Sequence, residues 1–185
     1  MSSGQDKTPA KRITISGGLL KVFGLGVLIR GDSGIGKSES ALELISRGHR
    51  FISDDVTELR RTRAGKLVGS SPSLSRYFME IRGLGIINIK KIFGPKAVSA
   101  QAELSLIINL KKWKKGKEYD RLGVEFPEEG ELLGQKVSQI NIPVAPGRNI
   151  ATLIEVACKV HILRKKGYFA PQEIAKKLNR VLSSR

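Results

Sequence analysis

The feature that most constrains the fold is a short segment in which an apolar run, a glycine-rich loop and an amphipathic stretch follow one another. The run Val27-Leu28-Ile29 has the composition of a buried strand, and the loop from Gly31 to Ser38 begins directly after Arg30. From Glu39 to Arg47 apolar residues recur at helical spacing. A strand, a glycine loop and a helix in this order predict an α/β fold in which the loop joins the strand to the helix.

The loop satisfies the pattern Gly-x-x-x-x-Gly-Lys-Ser, in which each position has a physical role. Glycines let backbone amides point at one centre without interference from Cβ atoms, and the start of a helix adds free N–H groups. Lys37 is expected to reach the β- and γ-phosphates of a nucleoside triphosphate, and Ser38 to bind Mg²⁺. The alternative is a glycine turn that binds no ligand. The residues predicted to bind the nucleotide are Gly31, Asp32, Ser33, Gly34, Ile35, Gly36, Lys37 and Ser38.

The middle of the chain is predicted to consist mostly of strands. Short strands are expected on both sides of Gly17-Gly18, and a hairpin is expected to turn at Ala64-Gly65. Apolar and alternating runs predict strands at 51–53 and 139–144, and the most apolar run, 104–110, predicts a central strand. Together with the loop and its helix, these segments favour a mixed sheet of α+β character.

Two helices are predicted at the C-terminal end. Asn149 is expected to cap a helix from Ile150 to about Lys166, and a second helix is expected from Pro171 to about Leu182. Residues 1–12 are small, polar and basic, which predicts a flexible leader, and residues 13–185 are expected to form one domain.

Charge and composition restrict the partners and the compartment. The net charge of +16 suggests attraction to something anionic, but aromatic residues make up only 5%, which leaves few stacking platforms for nucleic acid. A single cysteine, Cys158, together with the lack of a signal peptide or an 18-residue apolar run, favours the cytoplasm and no membrane partner. The lysines from 111 to 117 around Trp113 are expected to form a solvated loop, with binding of phosphate backbones as the alternative.

Two aspartates follow the predicted strand at 51–53 and are the first candidates for catalysis. Adjacent residues of an extended segment point to opposite sides, so only one of Asp54 and Asp55 is expected to face the terminal phosphate. Asp54 is predicted to be the base that accepts the proton of an attacking hydroxyl, with Asp55 nearer the metal or in a structural hydrogen bond. A turn stabilised by an Asp pair is the alternative.

Further candidates are charged residues near glycines. Glu80 in Met79-Glu80-Ile81-Arg82-Gly83 is predicted to bind Mg²⁺, with a surface pair between Glu80 and Arg82 as the alternative. Arg121 and Arg148 are candidates to stabilise the charge of a transferred phosphoryl group, or else are solvated arginines. His49 and His161 have no cysteine or second histidine at ligand spacing and are predicted to be structural.

Read together, these segments resemble the C-terminal catalytic domain of the bacterial HPr serine kinase/phosphorylase family. The resemblance covers about Ile13 to the C-terminus, and full-length family members carry an additional N-terminal domain that this sequence does not contain. The segments that carry it are the phosphate loop with the strand before it, Gly48-His49-Arg50 with Asp54-Asp55, Met79 to Asn88, Asp120-Arg121-Leu122-Gly123, and Ile142 to Asn149.

The resemblance implies a P-loop kinase domain that uses ATP, or pyrophosphate, with Mg²⁺. Its substrate would be a serine of HPr, the phosphocarrier of the sugar phosphotransferase system, and it would also remove that phosphate with inorganic phosphate to give pyrophosphate. Carried over by position, Lys37, Asp54 and Arg121 would be catalytic and Ser38 and Glu80 would bind the metal. A hexamer is also implied. The loop implied in dephosphorylation is Ile142, Pro143, Val144, Ala145, Pro146 and Gly147.

The sequence departs from the family at two places. Ser16 stands where the family usually has a histidine before the phosphate loop, and Val160 and Ile162 replace its usual Asn and Arg in the late helix.

The sequence as a whole leaves three hypotheses for the function: an HPr kinase/phosphorylase, a nucleotide-binding sensor without phosphoryl transfer, and a basic nucleic-acid-binding domain. The first accounts for the largest number of motifs.

Overall fold

The computed structural model describes residues 11–116, 118–120, 123 and 127–183, and it has a mixed sheet with helices packed against it. Most of the predicted leader, residues 1–12, therefore lies outside the described residues. The strands are β1 (Arg12–Ser16), β2 (Gly18–Val22), β3 (Leu25–Arg30), β4 (Arg50–Ser53), β5 (Val56–Arg61), β6 (Leu67–Ser70), β7 (Phe78–Ile81), β8 (Gly85–Asn88), β9 (Gln101–Lys112), β10 (Glu128–Leu132) and β11 (Gln135–Val144). The helices are α1 (Lys37–Ser46), α2 (Ile89–Phe93), α3 (Ile150–Lys165) and α4 (Ala170–Ser183), with a 3₁₀ turn at Pro95–Ala97.

The central strand predicted at 104–110 is part of β9, the longest strand described. Its first residues pair with β6, and the remainder lies between β3 and β11, both of which run parallel to it. The described sheet has the order β1-β5-β6-β9-β3-β2-β4, with β10 paired to β11 at the other edge of β9. Because β3 and β11 run parallel, the segments that follow them emerge at the same edge of the sheet.

The two faces of the sheet bury separate groups of apolar side chains. On β3, Val27 and Ile29 join the cluster that packs α1 and α3, whereas Leu28 joins the cluster beneath β1, β5 and β6. Strand β9 divides in the same way, with Leu106 on the first face and Ile107 on the second. This alternation explains why both strands read as continuous apolar runs, since a strand covered on both faces has no solvent side.

Most predicted elements are confirmed. The hairpin at Ala64-Gly65 joins β5 to β6, and Asn149 caps α3 by accepting a hydrogen bond from the Thr152 amide. The solvated loop predicted for the lysines from 111 to 117 is wrong in part. Lys111 and Lys112 belong to β9, because pairing with β11 extends this strand beyond its apolar run. Lys117 lies outside the described residues. None of the four helices within the described ranges has the length and hydropathy of a membrane-spanning segment.

Candidate active site

The glycine-rich loop lies between β3 and α1, as its pattern predicts. Gly34 and Gly36 adopt φ angles of 74° and 101°, a left-handed conformation that is strained for residues with a Cβ. Ile35 turns inward to the apolar core, and α1 begins at Lys37. The loop and the first turn of α1 therefore form the kind of helix N-terminus that binds phosphate.

Lys37 folds back over this loop. Its Nζ donates hydrogen bonds to the carbonyl oxygens of Gly31 at 3.0 Å and Asp32 at 3.1 Å, and it lies 3.9 Å from Asp55 Oδ1. Only 11% of the side chain is exposed. A positive charge held in this position is suited to phosphate oxygens arriving at the loop.

The two aspartates lie in a bend rather than on an extended segment, which corrects the sequence prediction. Strand β4 ends at Ser53, and Asp55 adopts φ of 45°. The bend is held from outside, since the Gly17 amide donates to the Asp55 carbonyl at 2.7 Å and Thr57 Oγ1 donates to the Gly17 carbonyl at 2.8 Å. Within this bend, the Asp54 carboxylate reaches Ser38 at the start of α1, whereas the Asp55 carboxylate lies beside Lys37 Nζ and lines the cavity described below.

Asp54 and Asp55 nevertheless have different surroundings. Asp54 Oδ1 accepts a hydrogen bond from Ser38 Oγ at 3.2 Å, and Asp54 Oδ2 accepts one from the Glu80 amide at 3.3 Å. The side chain of Asp55 is 60% exposed and faces Lys37. Asp54 is thus the half-buried member that contacts the hydroxyl predicted to bind Mg²⁺, and Asp55 is the solvent-facing one.

Burial raises the pKa of the Asp54 carboxyl above its usual value, and the negative charge of Asp55 raises it further. Hydrogen bonds from the Glu80 amide and the Ser38 hydroxyl oppose this rise in pKa. A carboxylate with a raised pKa is a better proton acceptor than an exposed one, which is the property required of a general base.

A cavity of about 160 Å³ joins the loop to the β7–β8 hairpin. Its residues come from three separate parts of the chain and are Ser33, Gly34, Gly36, Lys37, Ser38, Glu39, Asp55, Glu80 and Arg82. Ser38, Asp55 and Glu80 place hydroxyl and carboxylate oxygens around it, and these are the donors that Mg²⁺ prefers. Asp54 does not line the cavity itself and reaches its edge through the hydrogen bond from Ser38. Among the described residues no group of three or more His, Cys, Asp or Glu could hold a metal without help.

Two cavity residues were not assigned a site role from the sequence, Glu39 and Arg82. A Cβ on Gly34 would lie 3.2 Å from Arg82 Nη1 and 3.4 Å from Nη2, so this guanidinium packs directly on the phosphate loop. In the described part of the chain Arg82 makes no ion pair with Glu80, the partner considered as an alternative. The charge of Arg82 within an apolar stretch was the sequence signal for a role in the site. The sequence did not show that this stretch folds onto the phosphate loop.

The remaining residues predicted from the sequence differ in their position relative to the phosphate cavity. Arg121 lies outside the described residues. The loop predicted at Ile142 to Gly147 is a loop only in its second half, because residues 142–144 are the end of β11, where they pair with β9 and Ile142 is buried. Residues 145–147 leave the sheet at the edge from which the phosphate loop also emerges. Arg148 does not line the cavity; its guanidinium donates to the Pro143 carbonyl at 2.6 Å and lies 5.9 Å from the ring centre of Trp113. Ser16 pairs with Val56 across β1 and β5, next to the bend of the aspartates.

Neither histidine is near a metal-binding group in the described residues. His49 Nε2 is hydrogen-bonded to Glu155 Oε1 at 2.8 Å, and His161 is buried in α3. The structural role of both histidines stays a prediction.

Comparison with known proteins identifies a family over nearly the whole chain. Residues 7–178 match the sequence model of the HPr Serine kinase C-terminal domain. The chain is 48% identical over 173 residues to the HPr kinase/phosphorylase of Thermoanaerobacter sp. (strain X514) and 44% identical over 173 residues to that of Bacillus subtilis (strain 168). In both cases 94% of this chain is aligned and it spans 56% of the relative, just over half its length.

A solved structure also matches. The Hpr(Ser) kinase/phosphatase from Coxiella burnetii superposes with a TM-score of 0.77 and 39% sequence identity, covering 84% of this chain and 94% of that one. The mixed α/β fold expected from the resemblance is therefore confirmed.

Proposed function

Since the chain belongs to the HPr serine kinase C-terminal domain family, we propose that it transfers a phosphoryl group from ATP to a serine of an HPr-like protein. The observation that carries the proposal is the contact between Asp54 and Ser38, which brings a half-buried carboxylate to the end of the phosphate loop, where α1 begins. The neighbouring Asp55 lies 3.9 Å from Lys37 Nζ. A proton acceptor, a metal-binding hydroxyl and a phosphate-binding cation thus meet in one place.

In the forward direction, the loop amides and Lys37 hold the phosphates, and Asp54 accepts the proton of the attacking serine hydroxyl. Ser38 and Glu80 would hold Mg²⁺, which when bound neutralises charge on the phosphates. Arg121 is proposed to stabilise the transferred group, by analogy of position with the family.

In the reverse direction, we propose that inorganic phosphate attacks the phosphoserine, so that the serine oxygen–phosphorus bond breaks and pyrophosphate forms. The proton held by Asp54 then returns to the serine oxygen. Residues Ile142 to Gly147 are proposed to serve this direction, which is supported by their position at the same sheet edge as the phosphate loop.

Three further proposals concern the substrate protein, the oligomeric state and the cellular location. We propose an HPr-like protein as substrate, assembly into a homo-oligomer that is hexameric as in the family, and a cytoplasmic location. Assembly is supported by α4, where Ile174, Leu178, Val181 and Leu182 are each more than half exposed along one face of an amphipathic helix.

The second candidate is a nucleotide-binding sensor without transfer activity, and Ser16 is the observation that favours it. A serine cannot take and release protons near neutral pH as a histidine can. Nucleotide binding without transfer to any HPr would support this candidate. Nucleic-acid binding is the third, and steep loss of binding with added salt would be its signature.

The direct experiment is to incubate the chain with HPr, ATP and Mg²⁺ and to measure phosphoserine on HPr by mass spectrometry. The proposal expects one phosphate on HPr and none when Mg²⁺ is replaced by a chelator. A second reaction, with phosphorylated HPr and inorganic phosphate, should release pyrophosphate. Tight ATP binding without transfer in either reaction would contradict the proposal and favour the sensor.

A further inference from the structure

The segment that follows β11 is attached to the phosphate loop and its helix at two points. At the first, Ile150, which begins α3, packs on the loop, because a Cβ on Gly36 would lie 3.0 Å from Ile150 Cδ1. At the second, Asn149 Nδ2 donates a hydrogen bond of 2.8 Å to Glu43 Oε1 on α1. Both attachments lie immediately after residues 145–148, which follow the end of β11 at Val144.

Asn149 is oriented by its own role as a cap. Its Oδ1 accepts a hydrogen bond of 2.7 Å from the Thr152 amide, which is one of the free donors at the start of α3. With the oxygen committed to the cap, the amide nitrogen points away from α3 and needs an acceptor. Glu43 supplies that acceptor, so the cap and the contact with α1 depend on one side-chain conformation.

Glu43 is itself held by Arg47 one turn further along α1. Arg47 Nη2 donates to Glu43 Oε1, while Arg47 Nη1 donates to Glu155 Oε2 at 2.5 Å and to Thr152 Oγ1 at 3.1 Å. The hydrogen bond from Asn149 and the charge of Arg47 keep the pKa of the Glu43 carboxyl below its usual value, so it stays ionised. The contact between α1 and α3 is therefore a network rather than a single pair.

The loop before Asn149 is closed on itself. The Arg148 amide donates to the Ala145 carbonyl at 3.2 Å, and the Arg148 guanidinium donates to the Pro143 carbonyl at 2.6 Å. Pro143 and Val144 are fixed in the sheet by their pairing with Lys111 and Lys112 of β9, so residues 145–148 are attached to the sheet at one end and to Asn149 at the other. Their placement relative to the phosphate loop therefore depends on the attachment at Asn149. Glu43 and Ser38 are on the same helix, about 7.5 Å apart along its axis.

We propose that Glu43 is a positioning residue, which holds residues 145–148 in place beside the phosphate loop by fixing Asn149. Glu43 does not line the phosphate cavity, so its effect is carried through Asn149 and not through contact with the nucleotide. The kinetic consequence of this arrangement rests on the proposed function, but the structural consequence does not.

The structural test compares Glu43→Ala and Glu43→Gln by amide hydrogen exchange. Glu103→Ala is the matched control, since Glu103 is also a partly exposed glutamate in an ion pair, with Lys66 at 2.8 Å, and lies outside this network. Removing the acceptor should speed exchange of the Arg148 and Thr152 amides about tenfold, as expected for the loss of about one hydrogen bond. Glu43→Gln keeps an acceptor oxygen and should restore protection.

The kinetic test uses the same three variants with HPr. Glu43→Ala should lower kcat for pyrophosphate formation about tenfold while the KM for ATP in the forward reaction stays within about twofold, because the loop shifts and the nucleotide site does not. Glu43→Gln should recover most of the rate, and Glu103→Ala should match the parent protein.

Unchanged exchange at Arg148 and Thr152 in Glu43→Ala would overturn the inference, whatever the kinetics show. An equal fall in both directions together with a higher KM for ATP would overturn it as well, since Glu43 would then act on the phosphate loop itself. If the parent protein transfers no phosphate to or from HPr, the proposed function fails, and the exchange measurement alone decides the role of Glu43.

Discussion

At the scale of single residues, the site depends on backbone conformations that the sequence only partly indicates. The glycine pattern predicted the phosphate loop, and the adjacent aspartates predicted a carboxylate near it. A turn at Asp54-Asp55 was only the alternative to an extended segment, because the bend is held by Gly17, between β1 and β2, and by Thr57 in β5. A local pattern cannot show hydrogen bonds to residues distant in sequence, and these set which way each carboxylate points.

A substitution at Gly34 tests the conformation of the loop. Gly34→Ala adds a Cβ in a left-handed backbone conformation and within 3.2 Å of Arg82 Nη1, so we expect nucleotide affinity to fall about tenfold or more. Titration with ATP followed by calorimetry measures this change.

Gly65→Ala is the matched control for that substitution. Gly65 has φ of 79° but lies in the β5–β6 hairpin, where a Cβ meets only Gln135 Oε1 at 3.8 Å. It should therefore lower stability without changing nucleotide affinity. Equal affinities for the Gly34 and Gly65 variants would contradict the packing described for Arg82 on the phosphate loop.

At the scale of elements, the strands and helices with clear periodicity were predicted, and those that depend on distant pairing were not. Helix α3 and its cap followed from Asn149 and the apolar residues after it. The β7–β8 hairpin was not predicted as such, since β8 has no alternation of buried and exposed positions and Leu84 and Ile86 are both exposed. The strand β10 was missed because its sequence is acidic and it forms only by pairing with β11.

Helix α3 also buries an imidazole that makes stability depend on pH. His161 is 2% exposed, and among the described residues its Nε2 has no hydrogen-bond partner. Burial lowers the pKa of His161, and the charge of Lys165 lowers it further. The unfolded chain then binds this proton more readily than the folded one, so the contribution to stability is complete above the unfolded pKa and is lost as pH falls through the folded one.

Urea unfolding of the protein and of His161→Leu at about pH 7.5 and about pH 5 tests this linkage. We expect the parent protein to lose more stability on acidification than the variant, because leucine takes up no proton. An equal loss in both proteins would show that His161 does not contribute.

At the scale of the whole molecule, the sheet brings together segments that are far apart in the chain. The phosphate loop follows β3, the aspartates follow β4, and Glu80 lies on β7, which forms a separate hairpin with β8. The family resemblance predicted that these segments share one site, whereas patterns within each segment could not. The net charge of +16 is explained neither by the site nor by the fold.

Assembly is a property at this scale and can be tested on α4. Leu178 lies on the exposed apolar face of the helix, so Leu178→Glu should lower the molar mass in solution, measured by light scattering after gel filtration. Lys176→Glu introduces the same residue on the opposite, polar face and should leave the mass unchanged. A parent protein that is monomeric would contradict the proposed oligomer directly.

The central claim is that Asp54 is the base of a phosphoryl transfer to serine. The most direct measurement is the rate of phosphoserine formation on HPr with Asp54→Asn and with Asp55→Asn, each with ATP affinity measured in parallel. Loss of the base should lower kcat for Asp54→Asn by about 10²- to 10⁴-fold with ATP still bound, and Asp55→Asn should lower it less. Retention of full activity by Asp54→Asn, or a larger loss in Asp55→Asn, would contradict the assignment.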